Sequence, residues 1–127
     1  MRLPEQTEGI TVQLRRSLRE AMRARDMVAV SALRSALAAI ANAEAVPVSE
    51  GATPTSSPHF AAAAAGLGAA EAQRRELTEA EAGQIVQTEI AERLAAAAGY
   101  ERGGHAEQAG QLRREAQALA DITEGRR

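Results

Sequence analysis

The sequence contains no cysteine, no tryptophan and no lysine, and it has a single phenylalanine and a single tyrosine. Without cysteine the chain has no disulfide framework, no thiolate nucleophile and no cysteine-bound zinc. Without lysine it has no P-loop lysine, no Schiff-base lysine and no Ser-Lys dyad. So few aromatic residues cannot fill the thick core of a β-sandwich. These absences exclude several large classes of enzyme and the small disulfide-bonded secreted scaffolds.

Alanine dominates what is present, with 31 of the 127 residues. Because alanine with leucine and arginine favours closely packed helices, the sequence predicts an all-α protein with one small core. The formal net charge is −2 and the pI about 5.7, so the chain as a whole lacks the basic character typical of nucleic-acid-binding domains. Its start, MRLPEQTEGI, lacks the apolar segment of a signal peptide. We expect a cytoplasmic protein that does not associate with membranes.

The first part of the chain carries two helical patterns in quick succession. In the first pattern, arginines occupy one side of a helix and apolar residues share the other, namely Ile10, Leu14, Leu18, Ala21 and Met22. Asp26 is a good N-cap, and a second apolar stripe follows it with Val30, Leu33, Leu37 and Ile40. Because so short a connection makes two helices antiparallel neighbours, residues 1–45 are predicted to form a helical hairpin.

The middle of the chain, residues 46–72, is rich in proline, glycine, serine and alanine, which is typical of a flexible linker. A capping box follows it. There the Thr78 hydroxyl can accept a hydrogen bond from the Glu81 backbone, and the Glu81 carboxylate can reach back to Thr78. The sequence therefore predicts that a third helix begins at this point.

Residues 73–127 repeat the hairpin arrangement. The third helix has an apolar side formed by Val86, Ile90, Leu94 and Ala97, and Gly103-Gly104 marks its end. A fourth helix follows from about Ala106, with a stripe formed by Ala109, Leu112, Ala116 and Leu119. The predicted architecture is two antiparallel hairpins that form a small four-helix bundle, with the linker between them.

Both hairpins resemble a known family at the level of motifs. The first carries LREAMRARD at residues 18–26, followed by Leu33-Arg34, Leu37, Ala39-Ile40, Asn42 and Glu44. The second carries Arg75-Glu76-Leu77-Thr78, Glu81, Glu89-Ile90, Arg93, Tyr100, Gly103-Gly104 and Ala109. These strings are similar to LKEAMKAKD…LRxxLxAIxNxE and RELTDEE…EI…R…YEKGGR…A, with arginine for each lysine. Over residues 12–45 and 73–122 the chain therefore resembles the YqeY-like family of GatB/YqeY domain proteins.

This resemblance implies a small helical domain related to the tail of the B subunit of the tRNA-dependent Asp/Glu amidotransferase. In that enzyme the tail contacts tRNA, while the ATP-dependent chemistry and the glutaminase lie elsewhere. The resemblance thus implies association with tRNA and no catalytic centre. A label of carbon-nitrogen ligase with glutamine as amido-N-donor would come from the family alone. Relatives continue into a second small helical subdomain, which we expect to be absent here.

Seven arginines are the candidate nucleic-acid-binding residues: Arg15, Arg16, Arg19, Arg23, Arg74, Arg75 and Arg93. Arginines one helical turn apart can meet successive phosphates, although a solvated helix surface explains the same charge run. Arg74 and Arg75 precede the third helix, where positive charge opposes the helix dipole, so helix stability does not explain them. Arg93 follows Glu89 by four residues, which is also the spacing of a helix-stabilising ion pair.

No cofactor and no metal is expected, because His59 and His105 have no partner at ligand spacing. The expected partners are tRNA and, by resemblance, the amidotransferase subunits. The alternative is a helical protein-interaction module, in which a partner helix or a second copy covers apolar surface that a small core leaves exposed. An enzyme in its own right ranks third, since no nucleophile stands beside a base and an oxyanion donor.

Overall fold

The computed structural model describes residues 8–45 and 76–125, and these residues form four helices. They are α1 (Ile10–Ala24), α2 (Met27–Glu44), α3 (Glu79–Arg102) and α4 (Ala106–Thr123). No strand occurs in the two described ranges. The prediction of an all-α protein built from two helical hairpins is confirmed. The predicted linker at 46–72, with His59, and the candidate residues Arg74 and Arg75 lie outside the described residues.

The first hairpin turns through a Schellman motif, the six-residue hydrogen-bonding pattern that ends many helices. The Asp26 N–H donates to the carbonyl of Ala21 at 2.9 Å, and the Arg25 N–H donates to Met22 at 3.2 Å. Arg25 adopts the left-handed conformation at φ 59°. The Asp26 carboxylate then accepts from the Ala29 N–H at 3.1 Å and caps α2, as predicted. One residue therefore closes α1 and opens α2.

The second hairpin uses the same motif with a glycine at the left-handed position. Gly104 has φ 84°, its N–H donates to Glu101, and the His105 N–H donates to Tyr100 at 2.8 Å. The rings of Tyr100 and His105 meet edge to face across the turn, with centroids 6.0 Å apart. This contact lies where Schellman motifs commonly place an apolar contact, and it fixes the direction in which α4 leaves the turn.

Replacing Gly104 with alanine is expected to lower the free energy of unfolding by about 1 kcal/mol. A Cβ at this position would meet no atom within 4 Å, so the cost is that of the left-handed backbone conformation alone. Urea unfolding followed by circular dichroism measures it. The matched change is Arg25→Gly, which relieves the same conformation in the first turn and should raise stability; loss of stability there would contradict the reasoning.

The first turns of α1 and α3 are stabilised by carboxylates. The capping box of α3 is confirmed, with Thr78 and Glu81 exchanging hydrogen bonds of 3.0 and 2.9 Å. At α1 the N-cap residue Gly9 has no side chain, and the Ile10 N–H donates instead to the carboxylate of Glu79, the first residue of α3. The negative charge of Glu79 is favourable at the positive end of the α1 dipole. Since Ile10 and Glu79 belong to different hairpins, this hydrogen bond also links the two hairpins.

The core of the bundle draws most heavily on α2, which supplies five of the eleven buried residues of the core cluster. Ala32 and Ala36 on α2 are fully buried, so small side chains allow its neighbours to approach closely. The larger core side chains come from all four helices, namely Ile10, Leu14, Val30, Leu33, Ile40, Val86 and Leu119. The predicted stripe of α2 is confirmed, with Leu37 half-buried against this cluster.

Two residues predicted to lie on apolar sides are exposed instead. Met22 is 48% exposed and Leu94 is 47% exposed, so both assignments were wrong. Successive helical residues point about 100° apart, and α1 buries Ala21 at its last turn, which leaves Met22 at the margin of the contact. On α3 the buried residues are Ala82, Val86 and Ala97, and this side leaves Leu94 facing solvent.

In length and composition α2 is the one described helix that could cross a membrane, with a mean hydropathy of 1.2. The core helix of a bundle passes the same test, and α2 packs against the three other helices with 28% of its residues buried.

Candidate nucleic-acid interface

Three candidate arginines form a row on the solvent side of α1. Arg15, Arg19 and Arg23 are exposed, and none of them makes an ion pair with a residue in the described ranges. They follow one another at intervals of four residues, so their Cα atoms rise along the helix in steps of about 6 Å. The opposite side of α1 buries Ile10 and Leu14 in the core. We call Arg15, Arg19 and Arg23 the arginine face.

Arg16 adjoins the arginine face but already has a partner. Its guanidinium donates a hydrogen bond to the Glu8 carboxylate and forms an ion pair with it. The hydrogen bond with Glu8 raises the pKa of Arg16 above its ordinary value, and the charge of Glu8 adds to the effect. The positive charge of Arg16 is therefore compensated locally, in contrast to that of its neighbours.

Arg93 lies apart from the arginine face, between α3 and α4. Its side chain is 13% exposed, and it forms ion pairs with Glu89 at 2.8 Å and with Glu115 at 2.9 Å. Burial lowers the pKa of Arg93, but the hydrogen bonds to Glu89 and Glu115 outweigh burial and raise the pKa above its ordinary value. This guanidinium is committed to the two carboxylates, as the spacing of an ion pair also predicted.

The carboxylates around Arg93 continue into a polar network. The Ser35 hydroxyl on α2 donates to Glu89 at 2.9 Å, and the Gln111 amide on α4 donates to Glu115 at 3.3 Å. Glu115 is the buried charged residue of the described chain, at 7% exposure. The network joins three helices and, with two carboxylates for one guanidinium, contributes no positive surface.

Charge is divided unevenly between the two hairpins. Residues 1–45 contain seven arginines against five acidic residues, and residues 73–127 contain eight arginines against ten acidic residues. The first hairpin region is therefore net positive and the second net negative. A polyanion is attracted more strongly to the first than to the second.

Two further exposed arginines of the first hairpin were not among the seven candidates, and for Arg34 the sequence favoured a carboxylate partner over a ligand. Arg25 stands in the turn at the end of the arginine face, and Arg34 lies on the exposed side of α2. For Arg25 a signal was available, because it immediately precedes the N-cap Asp26 and so had to occupy the turn. The position of Arg34 relative to α1 depends on how the hairpin packs, which no local pattern encodes.

A groove of about 900 Å³ lies between α1, the start of α2 and the end of α4. Apolar residues line its floor, including Ala21, Leu33 and Ile122, and carboxylates such as Glu20 stand at its rim. Its described lining includes the hydroxyl of Ser17 but no histidine. Among residues 8–45 and 76–125 no group of three metal-ligating side chains occurs.

Comparisons of this chain with family models, with curated proteins and with solved structures found no match. The resemblance to the GatB/YqeY family therefore rests on the residues quoted for it above, and the arginine face is assigned from its own geometry.

Proposed function

We propose that this chain is a non-catalytic RNA-binding domain whose arginine face docks on the phosphate backbone of a structured RNA. The observation that carries the proposal is the set of three exposed arginines, Arg15, Arg19 and Arg23, at four-residue intervals and without carboxylate partners in the described chain. An unbalanced row provides successive donors for successive phosphates.

The division of charge between the hairpins supports the same proposal. Residues 73–127 carry ten acidic residues against eight arginines and are net negative. The arginine face is on the first hairpin, whose region is net positive. The field of the bundle therefore orients an approaching RNA before contact, although the chain as a whole is acidic.

The RNA that we propose is tRNA. This choice follows from the resemblance to the GatB/YqeY family, in which a related domain contacts tRNA as an accessory to the amidotransferase. Phosphate contacts read the shape of the RNA and not its base sequence. The proposed role is accordingly that of an accessory domain that binds many tRNAs alike and leaves the chemistry to a partner.

Replacing Arg15 and Arg19 together with alanine is expected to weaken tRNA binding by about tenfold or more and to reduce its salt dependence. Three phosphate contacts predict an affinity loss of about 40-fold between 50 and 200 mM salt, and one remaining contact predicts a loss of about 3.5-fold. Fluorescence anisotropy with labelled total tRNA over this range measures both quantities.

The matched control is Arg102→Ala with Arg114→Ala, which removes the same charge from exposed positions on the second hairpin. This control should bind tRNA as the unaltered chain does. Equal losses in the two double variants would show that net charge matters and the arginine face does not. Absence of binding by the unaltered chain at 50 mM salt would overturn the RNA-binding role.

A second candidate function is a protein-interaction module, and the 900 Å³ groove beside α1 favours it. Small apolar residues line the floor, including Ala24, Ala29 and Ala118, so a partner helix can approach closely. In the anisotropy experiment this function predicts no binding of tRNA and no effect of the arginine variants. Self-association is tested by sedimentation of the same samples without RNA.

A further inference from the structure

Two methionines at the turn of the first hairpin are exposed without a contact that accounts for them. Met22 is 48% exposed and Met27, the most exposed large apolar residue of the described chain, is 63% exposed. Met22 lies in the last turn of α1, and Met27 is the first residue of α2. The exposure of Tyr100 has an explanation, because its ring meets that of His105. No packing contact with the core cluster explains the exposure of the two methionines.

The turn that separates these methionines is rigid. Hydrogen bonds from Arg25 and Asp26 back to α1 close it, and the Asp26 carboxylate caps α2. Arg25 keeps the left-handed conformation with φ 59°, which costs a residue other than glycine about 1–2 kcal/mol. The equivalent position of the second turn is Gly104, where that cost does not arise. The first turn thus retains a strained arginine between two exposed methionines, and such strain is common at functional sites.

The methionines continue the arginine face. Arg15, Arg19 and Met22 are spaced by four and three residues, so they lie along one side of α1. Met22 follows Arg19 by about 4.5 Å along the helix axis, in the direction of the turn. Met22 therefore lies beside Arg23, at the end of the arginine face nearest the turn.

We infer that the α1–α2 turn, with the arginine face, is a site for RNA in which unpaired bases adjoin a duplex. This inference rests on the proposed RNA-binding function. The arginines contact phosphates of the duplex, and Met22 and Met27 contact the faces of bases that have left the stack. In a fully paired RNA the faces of the bases are covered by stacking on their neighbours. An apolar surface beside a row of cations can therefore contact base faces only where unpaired bases adjoin the duplex.

A lipid surface offers anionic groups beside apolar chains as well, but α1 is not arranged to enter one. Amphipathic helices at membranes insert their apolar side, and the apolar side of α1 is committed to the core through Ile10, Leu14 and Ala21. Only the arginine side and the turn are accessible. Methionine, with its flexible and polarisable thioether, suits contact with the flat face of a base.

The experiment compares two labelled RNAs of equal phosphate number, a blunt duplex and a hairpin with the same type of stem and an unpaired loop. The unaltered chain is expected to bind the hairpin about tenfold more tightly, in line with two methionine contacts to aromatic bases. Met22→Ser with Met27→Ser should remove this preference and leave the affinity for the duplex and its salt dependence unchanged. Met22→Leu with Met27→Leu should retain most of the preference, because the apolar surface is kept.

Leu94→Ser is the matched control, since Leu94 is equally exposed but lies on the second hairpin; it should keep the preference for the hairpin. Equal affinity of the unaltered chain for both RNAs, still dependent on Arg15 and Arg19, would overturn the inference and leave the proposed function intact. Loss of duplex binding in the serine variant would show that the methionines only support the turn. Failure to bind either RNA would overturn both proposals. Methionine-dependent binding to phosphatidylserine vesicles would also overturn the inference, because it would identify a lipid surface as the ligand of the turn.

Discussion

Replacing Arg93 with alanine is expected to lower the free energy of unfolding by about 3–5 kcal/mol. The guanidinium neutralises two carboxylates whose side chains are 15% and 9% exposed, those of Glu89 and Glu115. Without it, two negative charges face each other at the junction of α2, α3 and α4 with little access to water. Since small domains are stable by only about 5–15 kcal/mol, the variant should unfold at a much lower urea concentration.

The control for this change is Arg113→Ala, which breaks the ion pair with Glu101 on the same two helices. That pair is exposed, so its loss should cost less than about 1 kcal/mol. Arg93→Lys should lie between the two, because lysine keeps the charge but cannot donate to both carboxylates in the geometry of a guanidinium. A cost for Arg93→Ala as small as that for Arg113→Ala would contradict the structural role.

The same reasoning separates stability from RNA binding. A loss of tRNA binding in Arg93→Ala would be expected from unfolding alone, so it would not identify Arg93 as a contact. Replacing Glu89, Arg93 and Glu115 together with apolar residues of similar size is the informative variant, because removing a whole buried ionic cluster is often neutral or stabilising. If this folded variant binds tRNA normally, Arg93 makes no phosphate contact.

Helix boundaries could be predicted from the sequence because local chemistry sets them. The Asp26 cap and the Thr78–Glu81 capping box are formed within a few residues of chain. Gly103-Gly104 likewise ends α3 where expected. Each signal involves residues that are close in sequence, so the helix ends that it sets depend little on the rest of the fold.

The side of each helix that meets its neighbours was harder to predict. On α3 the apolar stripe through Leu94 indicated one side, but the neighbouring residue Arg93 faces α4, where it pairs with Glu115. A hydrophobic pattern cannot reveal a buried ion pair, because its members count as polar. The Ile10–Glu79 hydrogen bond was missed for a different reason, because it joins residues 69 positions apart in sequence.

The arginine face was accessible to sequence reasoning in part. The four-residue spacing of Arg15, Arg19 and Arg23 follows directly from the helical period. Which arginines keep an uncompensated charge depends on tertiary contacts, as the pairing of Arg16 with Glu8 illustrates. The charge pattern in the sequence therefore predicts which side of α1 is positive. The structure shows which arginines on that side have no carboxylate partner among the described residues.

Replacing Leu33 with alanine is expected to destabilise the protein by about 2–5 kcal/mol, the second large effect. Leu33 is 2% exposed on α2, the helix that packs against the other three. Truncating Leu33 leaves a cavity between α2 and the helices packed against it. These helices are held in place by their other contacts, so they can move only slightly to fill the cavity. Urea unfolding monitored by far-UV circular dichroism gives the change in free energy.

Leu94→Ala is the matched control for Leu33→Ala, because both positions lie within helices and both were placed on apolar stripes by the sequence. Leu94 is 47% exposed, so its truncation removes little buried area and should cost less than about 1 kcal/mol. Equal costs at the two positions would mean that a partner or a second copy covers Leu94 in solution. A large difference, with Leu33 the costlier, would confirm that Leu33 belongs to the core and that Leu94 faces solvent.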